Sequence, residues 1–210
     1  MKIRDGIYAE SVGALEVNCF LVAPPNSQFL YVIDPGADPD EIIAAAKKLD
    51  YVEAVMLFTH AHVDHISAAG EVAQALSVKK IYLHDGDRKL FYSPNNHLMP
   101  YVAAASNLPE TSWPPAENAD FSWLHTPGHS KGGVCYLFPK LNTLFCGDTI
   151  FRGSIGRTDF PGGDQAELMR SIKEVVYSLP DATELFPGHG ASTSVGMEKA
   201  MNPYVRSDED

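Results

Sequence analysis

The heptapeptide Thr59-His60-Ala61-His62-Val63-Asp64-His65 holds four side chains that can ligate a metal once deprotonated. Imidazole and carboxylate together suit zinc, iron or manganese, and no thiolate is needed. On an extended backbone His60 and His62, two residues apart, send their rings to one side. Asp64 and His65 follow where the chain turns, and can aim at a second point a few ångströms away. The plain alternative is a solvated loop that happens to contain histidines. For this composition, His-x-His-x-Asp-His arises by chance about 0.001 times per chain, so metal binding is the better reading.

Three further candidates each follow an apolar run and a glycine: Pro127-Gly128-His129-Ser130, Gly147-Asp148-Thr149 and Pro187-Gly188-His189-Gly190. A glycine there lets the backbone turn sharply and carry the next side chain over a sheet edge. Alone, each Asp or His would pass as a turn residue. As a set, the four turns can converge on one edge, and seven ligands suffice for two metals. His84, His97 and His125 have no such setting.

The elements that must place these residues follow from patterning. Apolar, β-rich runs at Leu15–Val22 and Phe29–Ile33, separated by Pro24-Pro25-Asn26, predict a hairpin whose second strand ends in the turn sequence Asp34-Pro35-Gly36. Asp38 as N-cap and Pro39 at the first helical position predict a helix over Pro39–Leu49. Strand Ala54–Phe58 leads into the metal turn, then come helix Ile66–Leu76 and strand Lys80–Leu83. Residues 85–119 carry five prolines and predict irregular structure with one short helix near Tyr101–Ser106. A loop this long suits a lid or pocket wall as well as an ordinary surface excursion. Strands resume at Phe121–Thr126, Gly133–Phe138 and Thr143–Cys146, the last two as a hairpin through Pro139–Asn142. Gly147–Gly163 is a Gly-rich loop. Asp164–Leu179 is a helix with Leu168, Ile172, Val175 and Val176 on one face. Thr183–Phe186 is a short strand, and a short helix is expected near Met197.

The 210 residues are 45% hydrophobic and 20% charged, as in soluble globular proteins, and one domain is expected. A net charge of −11 argues against nucleic-acid binding through a basic surface. It does not forbid an anionic substrate, because clustered metal supplies local positive charge. Cys19, Cys135 and Cys146 are odd in number and form no CxxC, which points to free thiols in a reducing compartment. Cys135 and Cys146 read as small apolar core residues. The opening Met1-Lys2-Ile3-Arg4-Asp5 has no secretory character, and no run of ~18 apolar residues occurs. A cytoplasmic protein with no membrane partner is expected.

The four ligand segments, in this order and spacing, resemble the metallo-β-lactamase-fold hydrolases, and most of all the short bacterial form of glyoxalase II-like proteins (hydroxyacylglutathione hydrolases). Gly153-Ser154-Ile155-Gly156-Arg157-Thr158-Asp159-Phe160, Gly162-Gly163-Asp164 and Asp34-Pro35-Gly36 share in the likeness, which covers nearly the whole chain. The resemblance implies an α/β fold, an αβ/βα sandwich of two mixed sheets flanked by helices. It implies a single domain over 1–210, without the helical C-terminal domain of full-length glyoxalase II, since only Gly190–Asp210 follow His189. It implies a first metal on His60, His62 and His129, a second on Asp64, His65 and His189, and Asp148 bridging them. The implied activity is hydrolysis of thioesters such as S-D-lactoylglutathione by attack of a metal-bridging hydroxide. Two divalent ions are needed, zinc first, with iron or manganese as alternatives, and a small-molecule thioester is the partner.

Asp64 would then ligate metal and help orient the hydroxide. Where full-length enzymes carry Lys and Tyr on the glutathione side, this chain has Arg157 and Asp159. Arg157 is the candidate substrate-binding residue, able to meet a carboxylate bidentately or to pair instead with Asp159 or Asp164. Other readings share the fold. One is a persulfide dioxygenase with a single iron on His62, His129 and Asp148, and another is a metallo-hydrolase of a different ester or thioester. A non-catalytic metal-binding protein is disfavoured because no ligand of the set is missing. Nothing in the residues sets the oligomeric state.

Overall fold

Runs rich in Val, Ile, Leu and Phe build two large sheets in the computed structural model, which describes residues 1–115 and 118–206 and falls into two units, Met1–Pro114 and Pro115–Asp210. In the first unit β1 (Lys2–Arg4), β2 (Ile7–Val12), β3 (Val17–Val22), β4 (Phe29–Ile33), β5 (Glu53–Leu57) and β6 (Lys80–Tyr82) lie side by side in chain order. Pairing is antiparallel from β1 to β4 and parallel from β4 to β6, so the sheet is mixed. The expected hairpin is the β3/β4 pair. The two strands before it were not expected. Arg4, Asp5 and Glu10 dilute their apolar pattern, and β2 is only half-buried through its middle.

Helix α1 (Pro39–Ala46) buries Ile42 and Ala46 in the core that also holds Val32 and Met56 of the sheet. Asp38 does precede the helix, but in left-handed conformation (φ 47°), and its side chain caps no helical N–H. Its carboxylate instead accepts from Gly13 N at 2.7 Å, tying the β2/β3 turn to the helix start. The single helix expected over Ile66–Leu76 is two: α2 (Val63–Ile66) and α3 (Ala69–Ala75). The break has a tertiary cause, since Ala68 N donates to Pro35 O at 3.0 Å instead of continuing the helical ladder.

No helix forms at Tyr101–Ser106. Leu98 and Val102 pair across a tight reversal there. Helical structure in this stretch lies earlier, as a 3₁₀ turn at Asp85–Asp87 and α4 (Arg88–Phe91), whose Phe91 packs on Phe58 with ring centroids 5.1 Å apart. Residues 116–117 of the stretch expected to be irregular lie outside the described residues.

The second unit contains β7 (Ser122–His125), β8 (Val134–Phe138), β9 (Thr143–Gly147), a small hairpin of β10 (Ile150–Phe151) and β11 (Ser154–Ile155), and β12 (Glu184–Pro187) and β13 (Thr193–Ser194). Its main sheet runs β13-β12-β9-β8-β7, with β9 and β12 parallel and the other pairs antiparallel. The Gly-rich loop after β9 thus contains the β10/β11 hairpin, with Gly153 at φ 71° in its turn.

Asp164 caps α5 (Gln165–Arg170) by accepting from Glu167 N at 2.9 Å. The helix continues as a π-helical turn over Ser171–Val176, where Ser171 Oγ donates to Pro127 O at 2.8 Å. Leu168, Ile172 and Val176 share a core with Cys135, Leu144, Cys146 and Leu185. The helix expected near Met197 is α6 (Val195–Met201). Its buried Glu198 accepts from Gly153 N, Thr193 Oγ1 and Asn202 Nδ2, which anchors the β10/β11 hairpin.

All three cysteines are free and buried, and burial pushes the Cys135 thiol up to about 11. Among the described residues no helix is long and apolar enough to cross a membrane.

Candidate metal centre

Strand register collects the ligands of each unit. In the first unit β4 and β5 are parallel with Ile33 opposite Leu57, so the turns that follow them emerge side by side at the strands' carboxyl ends. Such ends are where open α/β sheets build sites. One turn is Asp34-Pro35-Gly36 and the other is Thr59–His65. Asp34 takes left-handed φ (51°) and is 2% exposed. Its carboxylate accepts three bonds: Thr59 N at 2.8 Å on Oδ1, and Thr59 Oγ1 at 2.5 Å and His65 Nδ1 at 3.0 Å on Oδ2.

The Thr59 hydroxyl has one hydrogen and gives it to Asp34, so its contact with His60 Nδ1 at 3.1 Å makes that nitrogen the donor. His60 and His65 both therefore carry the proton on Nδ1, which makes Nε2 the ligand nitrogen of each ring. His60, His62, Asp64 and His65 are all buried. The His60 ring lies 4.8 Å from that of His62 and 4.1 Å from that of His65, centroid to centroid. Ligand atoms of Asp34, His60 and His65 fall within 4.8 Å of one another. With its oxygens committed to Thr59 and His65, Asp34 orients ligands and is not one itself.

In the second unit β9 and β12 are parallel, with Pro187 opposite Gly147 and Gly188 N donating to Gly147 O at 2.8 Å. Asp148 and His189 therefore leave the same edge together. The antiparallel pairs β7/β8 and β8/β9 bring the end of β7, and with it His129, to that edge. His129 Nδ1 donates to Arg157 O at 2.7 Å, which leaves its Nε2 as the nitrogen that could ligate a metal. Nε2 of His129 and Nε2 of His189 each lie 3.6 Å from one oxygen, Asp148 Oδ2. That is beyond hydrogen-bond reach. Two donors on one tetrahedral ion with bonds of ~2.1 Å stand ~3.4 Å apart, so the spacing suits ligands of shared metal. One carboxylate oxygen serving two imidazoles is placed as a bridging ligand would be. The donor set of imidazoles and carboxylates, with its proton-bearing nitrogens already engaged, fits a borderline divalent cation.

Within each unit the candidate residues that it holds lie close together. Arg157 pairs within its own loop, as one of its two expected settings: its Nε and Nη2 fork onto Asp159 at 2.7 Å each, and the guanidinium sits 3.8 Å over the Phe160 ring. That fork holds the exposed Asp159 carboxyl down to about 2. The contribution of Arg157 to the metal ligands is its main-chain oxygen. His84 accepts from Gly86 N and lies against Trp113, and exposed His125 donates to Lys131 O, so both serve turns.

Sequence reasoning missed Asp34, Asp87 and Asn96. Asp87 Oδ2 accepts from Ala61 N at 3.0 Å and Asn96 Nδ2 donates to Ala61 O at 2.7 Å, so the proline-rich stretch clamps the backbone between His60 and His62. The signals for Asp34 were its turn sequence and the share of Asp34-Pro35-Gly36 in the family likeness, neither of which gave it a role at the site, and nothing local marks the other two.

Glycine is required where this edge is tightest. A Cβ on Gly156 would lie 1.9 Å from Asp148 O and 3.2 Å from His129 Nδ1. Gly156→Ala is expected to displace both ligands and lower hydrolysis by about 10²-fold, the penalty typical of an ångström-scale misplacement. Steady-state rates beside a circular-dichroism spectrum check this, and an unimpaired variant would contradict the tight approach.

The sequence model of the metallo-β-lactamase superfamily matches residues 12–189. The chain belongs to this superfamily. The α/β class with mixed sheets and flanking helices, expected from the sequence, is that of the metallo-β-lactamase fold, and the His/Asp cluster is its metal-binding motif. The chain is 33% identical over 209 residues to the Haemophilus influenzae protein named hydroxyacylglutathione hydrolase GloC, covering 93% of this chain and 96% of that one. Two solved structures match with a TM-score of 0.85. The BLEG-1 B3 metallo-β-lactamase is 32% identical and covers 95% of this chain and 99% of its own. TTHA1623 in a di-iron-bound form is 33% identical, with coverage of 94% and 100%.

Proposed function

We propose that this superfamily member is a dinuclear metal hydrolase of thioesters. His60, His62 and His129 would hold one ion, Asp64, His65 and His189 the other, and Asp148 would be shared. The observation that carries the reading is Asp148 Oδ2, equally spaced from the ligand nitrogens of His129 and His189. The superfamily match supports it by spanning all seven residues. The kinship to a hydroxyacylglutathione hydrolase supports a thioester as substrate. Zinc is the first choice for a nitrogen and oxygen donor set, and the di-iron-bound neighbour supports iron as the alternative.

Bound at this place, two ions supply a hydroxide at neutral pH and stabilise the oxyanion of an attacked carbonyl. The protein's own work is preorganisation. Asp34 and Thr59 fix the tautomers of His60 and His65, and Arg157 O fixes that of His129. Asp64 would ligate the second ion and help to orient the nucleophile. A thiolate leaves with little proton assistance, so no separate acid is demanded of the chain. The guanidinium of Arg157 can meet a substrate carboxylate by exchanging partners with Asp159.

The test is hydrolysis of S-D-lactoylglutathione before and after chelation. The expected result is loss of activity with EDTA and its recovery on adding zinc, manganese or ferrous iron. Activity indifferent to chelation would overturn the proposal. So would oxygen consumption with glutathione persulfide by a protein holding a single iron.

A further inference from the structure

Beside Asp64 the first unit holds a cavity of about 120 Å³, walled chiefly by Val12, Leu15, Val17, Ala37 and Val102. Val12 and Val17 are the paired ends of the β2/β3 hairpin, and both are buried. The turn between them is seated on Ala37, so closely that a Cβ on Gly13 would come 2.8 Å from the Ala37 Cβ. Tyr101, 70% exposed, completes the lining, so the cavity reaches the surface. Its polar lining residues are Asp64, Ser67 and Tyr101, and the Ser67 hydroxyl donates to Val63 O at 2.6 Å.

We infer that this cavity receives the acyl group of the thioester and selects a short, unbranched, apolar acyl chain over a hydroxyacyl one. The inference rests on the thioesterase reading above, because Asp64 there is a metal ligand and the reacting carbonyl must lie near it. The acyl substituent then enters the apolar space next to Asp64. The size sets the chain length: a cavity of about 150 Å³ holds benzene, so about 120 Å³ takes about four or five heavy atoms. A hydroxyl on the second carbon would exchange water for a mostly apolar wall, in which the Ser67 hydroxyl has already given its hydrogen to Val63 O, and so would carry a net desolvation cost. The bland alternative is a packing void under the hairpin. A void has no reason to open beside a metal ligand, and it predicts no dependence of rate on acyl length.

The test compares S-acetyl-, S-butyryl-, S-hexanoyl- and S-D-lactoylglutathione on the metal-loaded protein. Each methylene buried is worth about fourfold in kcat/KM, so butyryl is expected to exceed acetyl about 15-fold, with no further gain at hexanoyl and with lactoyl below butyryl. Val102→Phe and Ala37→Leu, which fill the cavity, are expected to bring the butyryl-to-acetyl ratio close to one. That ratio is insensitive to the fraction of active protein. Independently of turnover, butyramide titrated into the metal-free and metal-loaded protein is expected to shift the methyl NMR signals of Val12, Val17 and Val102. A flat acyl series with hydrolysis intact, or butyramide shifts confined elsewhere, overturns the pocket and leaves the thioesterase reading standing. Absence of hydrolysis for every thioester overturns that reading itself.

Discussion

Asp148→Ala is expected to lower thioester hydrolysis by at least about 10³-fold while the protein remains folded, a loss of about 4 kcal/mol in transition-state stabilisation. The size follows from position. One oxygen of this carboxylate stands 3.6 Å from His129 Nε2 and 3.6 Å from His189 Nε2, so removing it takes a ligand from both proposed ions at once. The fold is expected to survive because β9 is held by the buried side chains of Leu144, Phe145 and Cys146, all N-terminal to Asp148. His62→Ala is expected to act in the same direction through one ion. Thermal melts paired with initial rates separate chemistry from folding. Wild-type rates in the Asp148 variant would remove this residue from the reaction.

The second large effect belongs to a residue that touches no substrate. Asp34→Ala is expected to cost about 3–5 kcal/mol of stability, because it leaves Thr59 N–H, the Thr59 hydroxyl and His65 Nδ1–H buried without their acceptor, each such orphan costing about 1–3 kcal/mol. For a chain of this size that corresponds to a fall of roughly 10 °C in Tm. The same change releases the His60 and His65 rings from their fixed tautomers, and metal affinity is expected to fall a further 10–100-fold, the usual effect of losing an orienting carboxylate. Asp34→Asn retains shape and one acceptor oxygen, so it should recover part of the stability and less of the metal affinity. Competitive metal titration and calorimetry read the two effects separately. A variant with unchanged Tm and unchanged affinity would show that Asp34 is only a turn residue.

These two residues mark the boundary of what local sequence carries. Asp148 could be picked out as a candidate because Gly147 followed by an acid marks a sharp turn after an apolar run, and the same holds for His129 and His189; only the set of turns together raised these residues above ordinary turn residues. The heptapeptide was legible for the same reason, its ligands sitting on one strand end. Asp34 was legible only as a turn, since its role depends on partners 25 and 31 residues away that β4 and β5 bring beside it. Asp87 and Asn96 were hidden entirely within a proline-rich stretch, because the group they clamp is a backbone peptide with no side-chain signature.

The fold divides in the same way. Strands with continuous apolar runs, such as β4, β5 and β9, were placed to within a residue or two. Strands β1 and β2, half-exposed and charged, gave no pattern to find. The interruption between α2 and α3 was invisible because its cause is a hydrogen bond from Ala68 to Pro35, across the fold.

The central proposal is that the seven candidate residues hold two metal ions. The most direct test is the metal-to-protein ratio of the full chain purified without chelator, measured by elemental analysis beside the Asp148→Ala variant. Two equivalents of divalent metal per chain are predicted, falling to one or fewer in the variant. A single equivalent in the wild type, or two retained without Asp148, would contradict a shared dinuclear centre.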